Sequence, residues 1–181
     1  MTSEELLLLP LTELSRIIRE KTASPVELVE AYLKRIEGLD PKLHAYITVF
    51  GERAIGQAKI AEEEILKGHA KGPMHGIPIG VKDQLQVNGY ASTYGACFTP
   101  EIAEDDSTVV TRLQEAGAII LGKHNMSEFA MGGNLRFPSG TPHNPWNLEH
   151  EAGHSSGGSA VAVAASLCAG AVGEDTGGSI R

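Results

Sequence analysis

The chain has 181 residues, of which 41% are hydrophobic and 21% charged, and its formal net charge is −8. This balance suits a folded globular protein with a substantial core and excludes a disordered chain. Because no basic tract offsets the acidic excess, the charge also argues against a general binder of nucleic acid or of anionic membranes.

The first 70 residues carry three helical patterns around one short strand. Apolar residues at helical spacing predict a helix over 11–21. A better-marked helix begins after Ser24, a candidate N-cap followed by proline, and is predicted to end near Gly38. A strand over 46–50 and an amphipathic helix over 52–67 follow.

From about residue 71 the pattern changes to short strands and glycine turns. Apolar runs predict strands over 77–81, 118–121 and 169–174, and helical patterns predict a helix ending at Ala116 and another over 156–167. Helices followed by alternating strands and helices indicate an α/β fold. We expect a single domain over 1–181, in which residues 1–70 form a helical layer on the sheet region 71–181.

Two serine-glycine clusters, at 155–159 and 176–179, are the strongest chemical signal. Glycine permits close approaches and turns that other residues disfavour, so serines in such clusters can lie beside backbone N–H groups. Acyl transfer needs this combination of a hydroxyl nucleophile and donors for the charge that develops on a carbonyl oxygen. For either cluster alone, two glycine-rich loops around a packed helix remain the alternative.

A serine nucleophile needs a base, and the chain offers a histidine and a lysine for this role. His154 adjoins Ser155, but adjacent side chains in a turn rarely face each other, and no paired carboxylate is evident to orient the ring. Lys82 follows an apolar strand and precedes a polar turn. Burial there would lower its pKa and let it accept a proton, although a lysine at a strand end is more often solvated.

Three ordered segments carry a specific resemblance. Gly76-Ile-Pro-Ile-Gly-Val-Lys-Asp83, Ser155-Ser-Gly-Gly-Ser-Ala160 and Asp175-Thr-Gly-Gly-Ser-Ile-Arg181 together resemble the amidase signature family, in the family's order. The stretches 122–129 and 144–147 resemble sequence found between those motifs. The similarity covers nearly the whole chain but only the N-terminal portion of the longer family members. It implies an amidase-signature-type mixed sheet covered by helices and incomplete at its C-terminal end.

The resemblance also implies a role for each motif residue. Ser179 would be the nucleophile and Lys82 the base, while Ser155, held by a cis peptide bond, would relay the proton between them. Asp175 and Arg181 would brace the loop. The oxyanion hole would consist of the backbone N–H groups of Thr176, Gly177, Gly178 and Ser179. The substrate-lining candidates are Met131, Gly132, Gly133, Ser156 and His154, which stands where family members usually have glycine.

Three functional hypotheses follow. The first, which the loop over 137–146 favours, is an amidase that cleaves the C–N bond of linear carboxylic amides through a Ser-Ser-Lys triad and an acyl-enzyme. The second is the ammonia-releasing subunit of a tRNA-dependent amidotransferase, which belongs to the same family and which the stretch 126–133 resembles closely. The third is an inactive truncated form, because the chain ends two residues after Ser179 and water would then enter the site. A nucleotide-binding module is excluded because neither GxxxxGK[ST] nor GxGxxG occurs.

Compartment and partners complete the expectations. Two cysteines without metal-type spacing indicate a reducing compartment, and the short N-terminal apolar run lacks the basic start of a signal peptide, so we expect a cytoplasmic protein. The expected partner is a small-molecule amide, without direct binding of nucleic acid or membrane and with no metal or organic cofactor. An amidotransferase would add partner subunits, and a homodimer stays open.

Overall fold

The computed structural model describes residues 2–98, 100–131 and 136–181, and its strands form one mixed sheet. The strands are β1 (Tyr46–Val49), β2 (Pro78–Lys82), β3 (Ile119–His124) and β4 (Gly170–Val172), in the spatial order β1-β3-β2-β4. β3 is antiparallel to β1 and parallel to β2, and β2 is also parallel to β4. The predicted α/β class with a mixed sheet covered by helices is confirmed.

The helices and the sheet share one hydrophobic core. The α-helices are α1 (Ser3–Leu7), α2 (Leu11–Arg19), α3 (Pro25–Leu43), α4 (Gly51–Leu66), α5 (Thr108–Glu115) and α6 (Gly157–Ala164), and a 3-10 turn covers Glu128–Ala130. The first 70 residues therefore contribute α1 to α4 and also the edge strand β1. None of the helices in the described parts of the chain has the length and apolar character that crossing a membrane requires.

Helix α3 continues to Leu43, well beyond its predicted end near Gly38. Its start agrees with the prediction, since Ser24 is the N-cap and accepts hydrogen bonds from two backbone N–H groups of the first turn. Glycine and proline weaken a helix, but packing against the core overrides such local preferences. Pro41 lies in the last turn, where its missing N–H costs one internal bond, and the C-cap residue His44 adopts the left-handed conformation.

Strand β3 is longer than the predicted 118–121, because it continues to His124. The polar residues after the apolar run indicate a turn, yet the long side chains of Lys123 and His124 are fully buried and have internal partners. Lys123 Nζ lies 3.1 Å from Asp83 Oδ1, and His124 Nδ1 lies 3.1 Å from Ser159 Oγ. Burial lowers the pKa of His124 to about 3, so its imidazole is neutral. These partners allow polar residues to remain in the middle of the sheet.

The carboxyl ends of β2 and β4 lie side by side, since these strands are parallel neighbours. Lys82 is the last residue of β2, and β4 leads directly into the segment 173–181 that contains Ser179. In open α/β sheets, ligand sites form outside the carboxyl ends of the strands. The sheet therefore brings Lys82 and the segment with Ser179 to the carboxyl ends of neighbouring strands.

Candidate active site

Lys82 is completely buried at the end of β2, and its side-chain nitrogen has two polar partners. The Nζ atom lies 2.6 Å from Oγ of Ser155 and 3.3 Å from Oε2 of Glu174. Burial lowers the pKa of Lys82, because the charged form loses its solvation, while Glu174 and the charge of Asp175 oppose that shift. Forming the neutral amine, which can accept a proton, therefore costs less free energy here than in a solvated lysine.

Ser155 immediately precedes the cap of α6 and is also buried, and a cis peptide bond joins it to His154. Close packing at Gly158 holds the start of the helix against the end of β3. The N–H of Gly158 donates to the backbone oxygen of Asn125 at 3.0 Å, and a Cβ on Gly158 would lie only 2.5 Å from backbone atoms of Asn125. Glycine is required at this position by the close backbone approach.

The segment 173–181 folds around the carboxylate of Asp175. Oδ1 accepts a hydrogen bond from the N–H of Gly178 at 2.7 Å, and Oδ2 accepts from the N–H groups of Ile180 and Arg181 at 3.2 and 3.1 Å. The Arg181 guanidinium adds two contacts of 3.0 Å and holds the pKa of Asp175 well below its usual range. Gly178 has a φ of +119°, which favours glycine. Asp175 thus shapes the turn that carries Ser179.

Hydrogen bonds from Ser156 join the two serine-glycine segments. Its N–H donates to the backbone oxygen of Ser179 at 3.0 Å, and its hydroxyl donates to the backbone oxygen of Glu174 at 3.0 Å. Among the described residues, however, no hydrogen bond links the hydroxyls of Ser155 and Ser179. The structure therefore brings Lys82 and Ser155 into contact and holds the main chain of Ser179 against Ser156, the next residue in the chain.

The four predicted oxyanion-hole donors differ in their surroundings. The N–H of Gly178 is already bonded to Asp175. Within the described part of the chain, the N–H groups of Thr176, Gly177 and Ser179 have no internal acceptor.

A cavity of about 430 Å³ opens beside the two serine-glycine segments. The predicted site residues in its lining are His154, Ser156, Gly178 and Ser179. Lys82 and Ser155, which are both buried, are not among its lining residues. Met131 is largely exposed and lies outside this lining, and Gly132 and Gly133 fall outside the described residues.

Glu174 is the site residue that the sequence analysis missed. The apolar pattern places it at the end of a strand over 169–174, whereas β4 ends at Val172 and Glu174 lies in the loop that follows. One signal was available, because a buried lysine needs a polar or anionic partner and Glu174 is the acidic residue directly before the last motif.

Comparison with known proteins shows which family this chain resembles. The family model described as Amidase matches residues 27–181. A curated glutamyl-tRNA(Gln) amidotransferase subunit of Methylobacillus flagellatus is 47% identical over 173 residues, which cover 94% of this chain and 35% of that protein. This chain therefore spans about a third of the length of that relative.

Solved structures show the same fold. The crystal structure of an amidase matches with a TM-score of 0.87 and 36% identity, over 96% of this chain and 40% of that one. The native peptide amidase from Stenotrophomonas maltophilia matches with a TM-score of 0.80 and 34% identity, over 89% of this chain and 35% of that one. Because the family model spans most of the sequence and the fold agrees with that of solved members, this chain belongs to the amidase signature family.

Proposed function

We propose that this chain carries the amide-cleaving site of an amidase signature enzyme, with Lys82, Ser155 and Ser179 as its catalytic triad. The observation that carries the proposal is the 2.6 Å contact between Nζ of the buried Lys82 and Oγ of Ser155. A buried lysine has a lowered pKa and, once neutral, can accept a proton from a hydroxyl within hydrogen-bond distance. Membership of the family supports an activity on amides.

In the proposed first step, neutral Lys82 removes the proton of Ser155, and Ser155 takes up the proton of Ser179 as Ser179 Oγ attacks the amide carbon. Catalytic hydrogen bonds often tighten only when substrate is bound, so the Ser179 hydroxyl is expected to turn toward Ser155 in the complex. The negative charge on the former carbonyl oxygen is stabilised by the available N–H groups of Thr176, Gly177 and Ser179.

In the second step, the C–N bond breaks and the leaving nitrogen receives the proton from Lys82 through Ser155. Ser179 then holds the acyl group as an ester. Water then loses a proton to the same relay and attacks the acyl carbon. The bond from this carbon to Ser179 Oγ breaks, and the relay returns the proton to Oγ, which releases the carboxylic acid and restores the Ser179 hydroxyl. Ammonia or an amine and a carboxylic acid are therefore the products.

For the substrate, the curated relatives favour the amidotransferase hypothesis over the general amidase. The 47% identical relative is a subunit of glutamyl-tRNA(Gln) amidotransferase, whereas the solved amidases are 36% and 34% identical. We therefore propose that the side-chain amide of glutamine is cleaved and that the ammonia passes to partner subunits. A general amidase acting on linear amides is the second candidate, supported by the likeness to the peptide amidase.

The test combines labelling of the nucleophile with a comparison of substrates. A serine-directed fluorophosphonate should modify Ser179, as read by mass spectrometry, and the label should be lost in Ser179→Ala. Ammonia release should be faster from glutamine than from propionamide. Unchanged amide cleavage in Ser179→Ala would contradict the triad, and faster cleavage of propionamide would favour the general amidase.

A further inference from the structure

Glu174 connects the buried lysine to the loop that carries Ser179. Its Oε2 lies 3.3 Å from Nζ of Lys82, and its Oε1 accepts a hydrogen bond from the hydroxyl of Thr176. The main chain of Glu174 is held as well, because its oxygen and its N–H contact the hydroxyl of Ser156 at 3.0 and 3.3 Å. The carboxylate is therefore fixed through both its backbone and its side chain.

The ion pair between Glu174 and Lys82 joins a buried group to a partly solvated one. The lysine side chain is 0% exposed and the glutamate side chain 32% exposed. A buried ammonium ion is costly without a partner, and a carboxylate at 3.3 Å offsets part of that cost. Because the carboxylate keeps some of its water, the pairing requires less desolvation than a fully buried ion pair would. Glu174 thus favours the charged form of Lys82, which burial disfavours.

Three other ionisable groups near Lys82 in the described part of the chain are paired or neutral. Asp175 is engaged by the guanidinium of an arginine, and Asp83 by the ammonium group of a lysine on β3. His124, which is opposite Lys82 in the register of β2 and β3, is neutral because burial lowers its pKa. Of these groups, Glu174 is the carboxylate in direct contact with the Lys82 nitrogen.

We propose that Glu174 is a positioning residue for Lys82, which it holds as an ammonium ion against Ser155 and ties to the Ser179 loop, so that base catalysis begins at a more alkaline pH. This proposal rests on the proposed function, in which Lys82 is the general base. Glu174 does not accept a proton from the substrate and acts only through the lysine. Its effect should therefore appear in the titration of Lys82 even when no substrate is present.

The direct test is a titration of Lys82, followed through the ¹³Cε resonance of labelled lysine and assigned with Lys82→Met. Glu174→Gln removes the charge and keeps the size of the side chain. We expect the Lys82 midpoint to fall by about one pH unit, at the low end of the range for an opposite charge at this distance. The rising part of the pH profile of kcat/KM should shift to lower pH by the same amount. At a pH below both midpoints, this shift raises kcat/KM about tenfold.

The matched control is Glu63→Gln, which removes the same charge from the exposed pair of Glu63 with Lys67 and should move neither curve. Glu174→Ser is a second neutral variant, and it must lower the Lys82 midpoint as well. A Lys82 midpoint that stays in place in the folded Glu174 variants would overturn the positioning role. If the Lys82 midpoint falls while the pH profile of kcat/KM does not shift, Lys82 is not the base, and the proposed function is contradicted as well.

Discussion

The Nζ of Lys82 lies 2.6 Å from the Oγ of Ser155, although 73 positions separate the two residues in the sequence. Both side chains are buried, so this hydrogen bond replaces solvation that the lysine loses on folding. Lys82 ends the inner strand β2, and Ser155 lies just before α6. Because of this contact, a substitution at Lys82 tests the proposed mechanism directly.

Replacing Lys82 by methionine keeps most of the side-chain volume and removes the amine. We expect kcat for amide cleavage to fall about 10²–10⁴-fold, the usual contribution of a general base, while the protein remains folded. Steady-state ammonia release and thermal unfolding measure the two effects. Lys67→Met, which changes an exposed lysine, should keep wild-type activity. A near wild-type rate in Lys82→Met would show that another group is the base.

Activity should rise toward alkaline pH. Lys82 must be neutral to accept a proton, and although burial lowers its pKa, Glu174 opposes that shift. The neutral fraction of Lys82 therefore grows as the pH increases, and kcat/KM should follow it. Measuring kcat/KM from about pH 5 to about pH 10 tests this, and a flat profile down to about pH 5 would be evidence against a lysine base.

Asp175→Asn should disturb the turn that carries Ser179. The asparagine amide replaces the carboxylate, which accepts three backbone hydrogen bonds and pairs with the guanidinium of Arg181, and so removes its negative charge. We expect the rate of fluorophosphonate labelling at Ser179 to fall about 10–100-fold, because small misplacements of a nucleophile are costly. Asp105→Asn changes an exposed aspartate and serves as the control. Equal labelling rates in the two variants would rule out this bracing role.

Gly158→Ala should destabilise the protein, because the added Cβ would lie 2.5 Å from backbone atoms of Asn125 and Ala45. Overpacking of this kind lowers the free energy of unfolding by about 1–3 kcal/mol. Gly56 lies in helix α4, where an added Cβ would meet nothing within 4 Å, so Gly56→Ala should instead add about 0.5–1 kcal/mol. Urea denaturation measures both, and equal effects would contradict the packing at Gly158.

His124 should make stability depend on pH below neutrality. Burial lowers its pKa to about 3, whereas the unfolded chain has a value near 6.5. Between these values the unfolded chain binds a proton that the folded chain does not. The free energy of unfolding therefore falls as the pH decreases, by about 1.4 kcal/mol per pH unit from this group.

The variant His124→Gln isolates that contribution, because its amide can still bond to Ser159 but does not titrate. Urea denaturation of both proteins at several pH values should show a steeper loss of stability for the wild type. Parallel curves would mean that His124 is not held neutral in the fold.

Most of the sheet could be predicted because apolar runs mark buried strands. The prediction of 77–81 for β2 differs from the observed Pro78–Lys82 by one residue at each end. The larger differences occur where a residue's local preference conflicts with its surroundings. Lys123 and His124 are polar, yet internal partners keep them in β3, and Gly38 and Pro41 lie within α3 because its packing against the core outweighs their helix preferences.

The sequence by itself determined the family and pointed to Lys82, Ser155 and Ser179, because each lies in a short, specific motif that is readable without a fold. Only the tertiary structure decided what surrounds them: Glu174 contacts Lys82, and Asp175 takes the N–H of Gly178. The lysine and its partner are 92 positions apart and meet because β2 and β4 are parallel neighbours. Strand order of this kind depends on the packing of the whole core, and no local pattern of residues encodes it.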